Sequence, residues 1–439
     1  MSWRTVRLGE LVENFSVRAK NVDGANGLDF YGVSNQDGII KAKNAAEDKA
    51  EDYKIIEKGC LAYNPYRVNV GSIGLVSDDI KGLISPAYVV FKPKPYSIIP
   101  ELILKFLKSD EGLRQIKFYA RGTVRQALRF EDLCNIEITI PEFEEQLILY
   151  DKLIHSQEAS NVLDTELKYQ LELLKKLRQQ LLQDAIEGKL VPQNHNDEPA
   201  SELLKNIKAE KEKLIAEKKL KKKKELPPIK PEEIPFELPE NWVWCRLEDA
   251  CQLNPRNKAD DEIDTAFIPM PLISEKFNVI PEFQIKKWKE IKTGFTHFAN
   301  DDVVVAKITP CFENSKAGIM KDLPSGIGAG TTELYVIRGN GLVNPKYIYA
   351  FIKTTDFLKK GKKIMRGVSG QQRVPLEYLS NSMFPLPPLA EQTRIVQKLE
   401  ELMQYCDELE AIIKESESQN EKLLQQVLRE ALFKESVID

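Results

Sequence analysis

The chain repeats itself, and this repeat constrains the fold more than any other feature. The segment PEFEEQ, which starts at Pro141, matches PPLAEQ, which starts at Pro387, 246 positions later. The same offset places QQLLQDAIEG, from residue 179, over QQVLREALFK, from residue 425. Self-similarity at a fixed spacing indicates a duplicated structural unit. The sequence therefore predicts two copies of one unit, each a globular domain followed by a long helix.

Both predicted helices carry a heptad pattern. Apolar residues follow alternating steps of four and three from Ile395 to Val427, and subtracting 246 gives a stripe in the same register from Leu149 to Leu181. Such stripes form the a and d positions of a coiled coil, so the helices are predicted to pair with each other. Packing of each helix on its own globular domain is the alternative. The predicted seam comprises Leu149, Leu153, Leu163, Leu167, Leu174, Leu177, Leu181, Ile395, Leu399, Leu402, Leu409, Ile413, Asn420, Leu423 and Val427, with polar Asn420 setting the register.

Antiparallel pairing is predicted because a globular domain precedes each helix. A parallel pair would crowd the two domains together at one end. The connector contains a lysine-rich helix, predicted over 201–224, and a proline-rich run, LPPIKPEEIPFELPENW, and it is long enough for an antiparallel return. The lysine run is typical of a solvated helix face. The predicted segments are a first globular domain at 1–141, a first long helix at 142–190, a connector at 191–240, a second globular domain at 241–387 and a second long helix at 388–435.

Each globular domain is predicted to mix helix and sheet. Short runs rich in β-branched and aromatic residues, such as AYVVFKP in the first copy and TELYVIR in the second, are separated by Gly, Pro and Asn turns. A helix follows each set, at about 98–119 and 345–364. The predicted fold class is α+β: two globular domains with curled, mostly antiparallel sheets, two long helices and a pseudo-two-fold internal repeat.

Composition argues against several classes of protein. No apolar run reaches the ~20 residues that a membrane span needs, and the first residues lack a signal-peptide pattern. We therefore expect a soluble, cytoplasmic protein. Six cysteines without a CxxC pair and only three histidines predict neither a zinc site nor a disulfide framework. The net charge of −4 argues against a uniformly basic nucleic-acid binder, but the charges are segregated along the chain.

The loop that follows each domain helix carries the most informative chemistry. Residues 113–130 and 358–373 are rich in Arg and Lys and contain no Asp or Glu. Basic side chains neutralise DNA phosphates, and Arg and Gln form bidentate contacts with guanine and adenine edges. Ordinary surface helix ends are the alternative interpretation. The predicted DNA contacts in these loops are Arg114, Lys117, Arg121, Thr123, Arg125, Gln126, Arg366, Ser369, Gln371, Gln372 and Arg373.

A second stretch, YNPYRVNVGSIG at 63–74, raises the question of catalysis. Its Asn-Pro-Tyr is similar to the Asn/Asp-Pro-Pro-aromatic motif of amino-group DNA methyltransferases, whose oxygens hold the target amine of a flipped base. Only one proline is present, and the counterpart VVVAKITPCFENSKAG at 303–318 lacks the triple. The sequence also shows neither a glycine-rich methyl-donor loop nor the paired acids of a metal-dependent nuclease. We interpret both stretches as DNA-contacting loops without catalytic residues or metal ligands, with candidate contacts Arg67, Asn69, Lys307, Asn314 and Lys316.

Longer motifs resemble a known family. FPLPPLAEQTRIVQKLEEL (384–402), HFANDDVVVAKITPCFENSKAG (297–318), GIGAGTTELYVI (326–337) and EGKLVPQNHNDEPASELLKNIKAEK (187–211) closely resemble the specificity subunit of Type I restriction-modification systems. The resemblance covers essentially the whole chain. The first copy departs most, since ITIPEFEEQ replaces the usual Pro-Leu-x run with Glu-Phe-Glu. Two domains that read different half-sites would differ in this way.

The resemblance implies a non-catalytic subunit that binds double-stranded DNA. Each globular domain would be a target recognition domain for one half of a split DNA sequence, and the paired helices would set the unread gap. The helices would also dock two modification subunits, which bring S-adenosylmethionine and methylate adenine, and through them the restriction subunits. This chain itself would hold no cofactor. The alternatives are a self-sufficient DNA adenine methyltransferase or nuclease, and a coiled-coil scaffold that does not bind DNA.

Overall fold

The computed structural model describes residues 3–25, 27–42, 47–76, 80–122, 126–218, 220 and 228–432. The chain divides into two compact units, one formed by Met1–Leu167 with Glu415–Asp439 and the other by Lys168–Lys414. Each unit contains one globular domain and part of each long helix. The boundaries between the units therefore fall within the long helices.

The first globular domain is built from short strands and helices. Its strands are β1 Trp3–Arg7, β2 Val12–Asn14, β3 Phe30–Ser34, β4 Gly38–Lys41, β5 Lys54–Ile56, β6 Leu61–Tyr63, β7 Ile73–Leu75, β8 Gly82–Ile84, β9 Val89–Pro93 and β10 Glu137–Pro141. Its helices are α1 Leu8–Leu11, α2 Pro100–Lys108, α3 Asp110–Tyr119 and α4 Phe130–Leu133. The described strands form sheets of order β2-β9-β6-β7 and β4-β3-β8-β5 and a separate β1-β10 pair.

The long helices and the connector follow a simple order. The first long helix is α5 Phe143–Ile186, the connector contains α6 Ala200–Ala216, and the second long helix is α12 Leu389–Leu432. Both long helices have 44 residues. Acidic residues in the first turn, Glu144 and Glu145 in α5 and Glu391 in α12, lie at the positive end of the helix dipole. The predicted lysine-rich helix is shorter than expected among the described residues, and 219 and 221–224 lie outside them.

The second globular domain repeats the first. Its strands are β11 Val243–Arg246, β12 Gln252–Leu253, β13 Asp264–Ile268, β14 Gln284–Lys287, β15 Thr296–Ala299, β16 Val303–Ala306, β17 Ala317–Ile319, β18 Ile327–Gly330, β19 Leu334–Arg338 and β20 Met383–Leu386. Its helices are α7 Leu247–Ala250, α8 Trp288–Ile291, α9 Pro345–Ile352, α10 Thr355–Lys363 and α11 Leu376–Asn381. The sheet orders β12-β19-β16-β17 and β14-β13-β18-β15 and the β11-β20 pair match those of the first domain strand for strand.

The predicted α+β fold class and internal repeat are therefore confirmed. Most described strand pairs are antiparallel, and the parallel pairs β3-β8 and β13-β18 are themselves equivalent. The continuous apolar runs of β6 and β16 lie centrally in their sheets and are buried along their whole length. An uninterrupted short apolar run is typical of such a strand. Each of these strands leads directly into a loop that the sequence predicts to contact DNA.

Within the first unit, the long helices pair antiparallel. The Asn420 side-chain amide donates a hydrogen bond to the Ser160 carbonyl at 3.0 Å. Seven residues later, Val427 packs on the buried cluster that includes Leu153, as Leu149 of α5 also does. Later residues of α12 therefore lie beside earlier residues of α5, which confirms the predicted antiparallel direction. The hydrogen bond from Asn420 fits the predicted role of a polar residue that sets register.

Within the second unit, charged groups join the same two helices. The Arg178 guanidinium contacts Asp407 at 2.7 Å and Glu410 at 3.0 Å, and its side chain is only 18 % exposed. Gln193, which follows Arg178 in the chain, donates a hydrogen bond at 2.7 Å to Glu391, which precedes Asp407. This order again makes the helices antiparallel. Desolvation of Arg178 is offset by two carboxylates rather than one.

One row of each heptad stripe is largely buried, and the other, the open row, is covered only near the start of each helix and is exposed at its later leucines. The buried row advances in sevens and consists of Leu153, Leu167, Leu174 and Leu181 in α5 and Leu399, Cys406 and Ile413 in α12. Ile395 is also buried, and Leu149, Leu402, Asn420 and Val427 are half-buried. The predicted seam differs from this arrangement because it places both rows in contact.

Four leucines of the predicted seam are exposed in the structure. Their exposed fractions lie between 43 % and 61 %, and they are Leu163, Leu177, Leu409 and Leu423. A heptad pattern fixes which residues share a stripe, but a row is buried only where another surface covers it. The open row leaves apolar area in water, which is typical of a protein interaction surface.

Candidate nucleic-acid interface

In the first domain, two loops that the sequence predicts to contact DNA are joined by a backbone hydrogen bond. The loop after β6 contains Pro65, whose carbonyl accepts from Leu128 N at 3.0 Å. Leu128 ends the loop after α3. That loop is itself closed by a pair of hydrogen bonds between Arg121 and Ala127, of 3.0 and 2.8 Å. The fold therefore brings together basic residues that lie about 60 positions apart in the chain.

The second domain contains the same arrangement. Val374 N donates to the Lys307 carbonyl at 2.8 Å, which joins the loop after α10 to the loop after β16. Paired backbone hydrogen bonds of 2.9 and 2.8 Å between Arg366 and Arg373 close the turn. Gly367 has a φ of 124°, a conformation that favours glycine, and its counterpart Gly122 has a φ of 132°.

The loop after β16 packs closely on α10. The Phe312 ring is 2 % exposed and lies against Gly361, where an added Cβ would be 2.4 Å from Phe312 Cζ. Beside it, the Lys362 ammonium contacts the Glu313 carboxylate at 2.7 Å. Thr309 N donates to the Gln372 carbonyl at 2.9 Å. Glycine at 361 is thus required for close approach of the loop to the helix.

A buried lysine holds this loop in place through hydrogen bonds. Lys353 is 3 % exposed, and its ammonium donates to the Glu275 carbonyl at 2.9 Å and to the Ser315 carbonyl. Burial lowers its pKa to about 7 from the ordinary 10.5. Ser315 adopts a positive φ of 59°. Lys353 therefore holds a strained point of the loop between Asn314 and Lys316.

Acidic side chains that lie outside each acid-free segment neutralise part of its positive charge. In the second domain, Arg373 pairs with Glu333, and hydrogen bonding from Arg373 lowers the pKa of that carboxyl. Lys362 pairs with Glu313, as described above, and Lys360 with Asp356 at 2.8 Å. The cations of this loop region that form no ion pair with a described residue are Lys307, Lys316, Lys359, Lys363 and Arg366.

The first domain shows the same partial compensation. Arg121 Nε lies 2.8 Å from Asp132 Oδ1, and Asp132 is buried. Arg114 forms two hydrogen bonds with Glu111, of 2.7 and 2.6 Å. Thr123 and Arg125 lie outside the described residues. Cations that have no ion pair with a described residue are Arg67, Lys117 and Arg129.

The Asn-Pro-Tyr triple forms a structural turn. Asn64 Oδ1 accepts a hydrogen bond from Tyr66 N at 3.0 Å, a side-chain-capped turn. The Pro65 carbonyl accepts from Leu128 N at 3.0 Å. Both oxygens that a methyltransferase motif would present to a target amine are therefore engaged within the protein. The Tyr66 ring is 56 % exposed.

Comparison with known proteins identifies the family. The Type I restriction modification DNA specificity domain matches residues 1–183 and again residues 239–417. These two matches cover most of the chain and coincide with the two copies. The chain belongs to this specificity-domain family. The specificity subunits of the Type I restriction enzymes EcoAI and EcoEI of Escherichia coli are 53 % and 50 % identical over 245 residues, or 55 % of this chain.

The match covers 42 % and 41 % of those two relatives, so the chain spans about two fifths of the length of each. The crystal structure of the HsdS subunit from Thermoanaerobacter tengcongensis is similar in fold, with a TM-score of 0.62 at 18 % identity. That similarity covers 98 % of this chain and 96 % of the other. The fold similarity is therefore not confined to one of the two copies.

The remaining candidate contacts of this specificity-domain protein differ in exposure. Gln126, Asn314, Ser369 and Gln371 are exposed, and Asn69 and Gln372 are half-buried. Lys307 is half-buried, with its ammonium 5.1 Å from the Tyr335 ring, and burial lowers its pKa. The structure gathers all of these residues at the two loop pairs. Their contacts with DNA remain predictions.

Sequence reasoning missed the residues that organise the specificity domains. Glu333, Asp132 and Glu313 pair with loop cations but lie outside the acid-free segments. Lys353 was not singled out because a lone lysine near a helix end gives no signal of burial.

In the described part of the chain, no helix is long and apolar enough to cross a membrane.

Proposed function

We propose that this chain is the DNA-specificity subunit of a Type I restriction-modification complex. Each globular domain reads one half of a split target through its pair of basic loops. The long helices set the unread gap and dock two modification subunits, which supply S-adenosylmethionine and methylate adenine, and through them the restriction subunits. The chain is not itself catalytic. Because it acts on genomic and incoming DNA, it works in the cytoplasm.

The observation that carries this proposal is that a backbone hydrogen bond joins the same two loops in both globular domains. Leu128 to Pro65 in one domain and Val374 to Lys307 in the other are equivalent backbone hydrogen bonds. Each joined pair of loops contains an exposed glycine, an exposed Gln and cations that form no ion pair with a described residue. Phosphate neutralisation requires such cations, and exposed Gln and Arg side chains can read base edges. Two sites of this kind in one chain suit a target in two halves.

The open row of leucines supports docking of protein partners along the helices. Leu177 and Leu409 lie in the same unit and are 45 % and 48 % exposed. Nearby, Leu173 and Ile412 are 43 % and 62 % exposed. Exposed apolar residues along a helix pair stabilise a complex when a partner protein covers them. The modification subunits are the proposed occupants.

Engagement of the Asn64 and Pro65 oxygens argues against the alternative of a self-sufficient methyltransferase. In that alternative both oxygens would hold the target amine. Here the first caps its own turn and the second joins the two loops. These contacts support the part of the proposal that leaves methyl transfer to the partner subunit.

The test is a genome-wide map of methylated adenine. Cells lacking other modification enzymes would express this chain with its modification subunit, and single-molecule sequencing would read their DNA. We expect methylation at a split motif with one fixed gap. Cells that express the modification subunit alone provide the control and should lack this motif.

Three outcomes would contradict the proposal. Assembly of the complex without any new methylated motif would remove the specificity role. Methylation by this chain alone, after purification from a strain without the partner, would restore the self-sufficient enzyme. A continuous motif without a gap would contradict the division of reading between the two domains.

A further inference from the structure

A buried glutamine connects the first long helix to its globular domain. Gln146 is 0 % exposed and is the fourth residue of α5. Its amide nitrogen donates to the carbonyls of Ser97 and Pro141, both at 3.1 Å. Its amide oxygen accepts from Ile99 N at 3.1 Å. Ile99 directly precedes α2, and Pro141 ends β10. One side chain thus joins the long helix, the start of a domain helix and the last strand.

The second copy contains the same connection. Gln392 is 0 % exposed and is the fourth residue of α12. Its amide oxygen accepts from Asn344 N at 2.8 Å, and its amide nitrogen donates to the Pro387 carbonyl at 3.0 Å. Asn344 directly precedes α9. We call Gln146 and Gln392, with these hydrogen bonds, the glutamine clamps.

A second contact fixes the direction of each long helix relative to its domain. In the first unit, Lys105 of α2 donates to Gln157 of α5 at 2.8 Å. In the second unit, Lys346 of α9 contacts Glu400 of α12 at 2.5 Å. Two separated points of attachment on one helix restrict its tilt, whereas one point would leave a pivot.

The length of the helices makes small tilts important. A helix of 44 residues is ~66 Å long at 1.5 Å per residue. A tilt of about 3° at one end moves the other end by about 3.4 Å, the rise of one base pair in a DNA strand. Packing of apolar side chains tolerates small rotations, but buried hydrogen bonds depend on direction and leave costly unpaired groups when broken.

We propose that the glutamine clamps determine how strictly the protein selects the gap between the two half-sites. Gln146 and Gln392 act as positioning residues that contact no DNA and fix each recognition domain on its long helix. This inference rests on the proposed function and assigns the glutamines to gap selection rather than to base reading.

The test compares gap selectivity in assembled complexes. Duplexes carry the two half-sites from the methylation map with the native gap or with a gap one base pair shorter or longer. The rate of methylation is measured for the complex with its modification subunits and S-adenosylmethionine. Gln392→Met keeps the side-chain length but removes the amide. Gln397→Met changes an exposed residue of the same helix and is the matched control.

For Gln392→Met we expect the ratio of native-gap to altered-gap rates to fall by about three- to tenfold, the range that corresponds to the net contribution of one hydrogen bond. Half-site base preferences should stay unchanged, and Gln397→Met should behave as wild type. If Gln392→Met does not fold, Lys346→Met removes the more exposed second contact and should lower the same ratio. An unchanged ratio in folded Gln392→Met or, failing that, in Lys346→Met would overturn the inference. A wild-type complex without a split motif would instead overturn the proposed function.

Discussion

Arg373 and Glu333 form a bidentate ion pair in the second domain. Arg373 Nε lies 2.9 Å from Glu333 Oε2, and Nη2 lies 2.8 Å from Oε1. The Glu333 carbonyl in turn accepts from Lys307 N at 2.9 Å. Arg373 therefore holds the turn against the start of β19. Across the turn, Arg366 is exposed and has no ion pair with a described residue.

This difference predicts separate effects for two arginines of one turn. Arg366→Ala should weaken binding to cognate DNA by about 1–3 kcal/mol if the side chain reads a base edge, with the loss confined to the second half-site. Arg373→Ala should lower the melting temperature, because it leaves the Glu333 carboxylate without its partner. Fluorescence-anisotropy titration and thermal melting of both variants measure these effects. Equal weakening of both half-sites by Arg366→Ala would show that Arg366 contacts phosphate instead.

Gly361→Ala should disturb the loop after β16, which contains predicted DNA contacts. The new Cβ would lie 2.4 Å from Phe312 Cζ and 2.7 Å from Cε1. Overpacking of this kind costs about 1–3 kcal/mol, which exceeds the gain in helix propensity of ~1 kcal/mol. We expect a lower unfolding free energy and weaker binding to the second half-site. Lys360→Ala, one residue away and exposed, is the control, and equal stability of the two variants would contradict the steric explanation.

Lys353 should make the stability of the second domain depend on pH. Burial lowers its pKa to about 7 in the folded protein, against 10.5 in the unfolded chain. Between these values the unfolded chain binds a proton that the folded protein does not, so the unfolding free energy rises with pH. Below pH 7 Lys353 is protonated in both states, and the free-energy cost of burying its charged ammonium group is fully present.

Lys353→Met should remove this contribution. Urea unfolding at pH 7, 8 and 9 should give a slope against pH that is smaller in the variant by up to ~1.4 kcal/mol per pH unit. Comparison with wild type cancels the titration of other groups. Parallel pH profiles would show that Lys353 stays charged, held by the Glu275 and Ser315 carbonyls.

Leu409 and Ile413 should differ in what they stabilise. Leu409 is 48 % exposed and Ile413 is 9 % exposed, one helical turn apart in α12. Leu409→Ser should change chain stability by less than about 0.5 kcal/mol but weaken binding to the modification subunit by more than ~1 kcal/mol if Leu409 lies in the interface. Truncation of buried Ile413 costs about 2–5 kcal/mol of chain stability. Calorimetric titration with the modification subunit tests this, and undiminished binding by Leu409→Ser would place the partner elsewhere.

Asn64→Ala tests the catalytic interpretation of the Asn-Pro-Tyr triple. The variant loses the hydrogen bond to Tyr66 N, which contributes about 0.5–1.5 kcal/mol. We expect weaker binding to the first half-site and continued adenine methylation by the assembled complex at saturating DNA. Abolished methylation with normal DNA binding would instead indicate a catalytic asparagine.

The sequence determined the features that depend on neighbours along the chain. The match of PEFEEQ with PPLAEQ predicted the duplication, and heptad spacing predicted two long helices, because residues at fixed spacing share one face of a helix. The α+β class followed from short apolar runs between turns. Composition identified each of the joined loops, but it did not predict the hydrogen bonds that connect them.

Only the tertiary structure decided which charges and stripes remain exposed. The segment 358–373 contains no acid, yet Glu333 and Glu313 reach it from other elements. The heptad pattern of α5 contained two leucine rows, yet the row with Leu174 is buried, whereas Leu177 of the other row is exposed. Charge compensation and burial depend on contacts between residues far apart in the chain. A local pattern shows which residues share a surface, whereas packing determines what covers that surface.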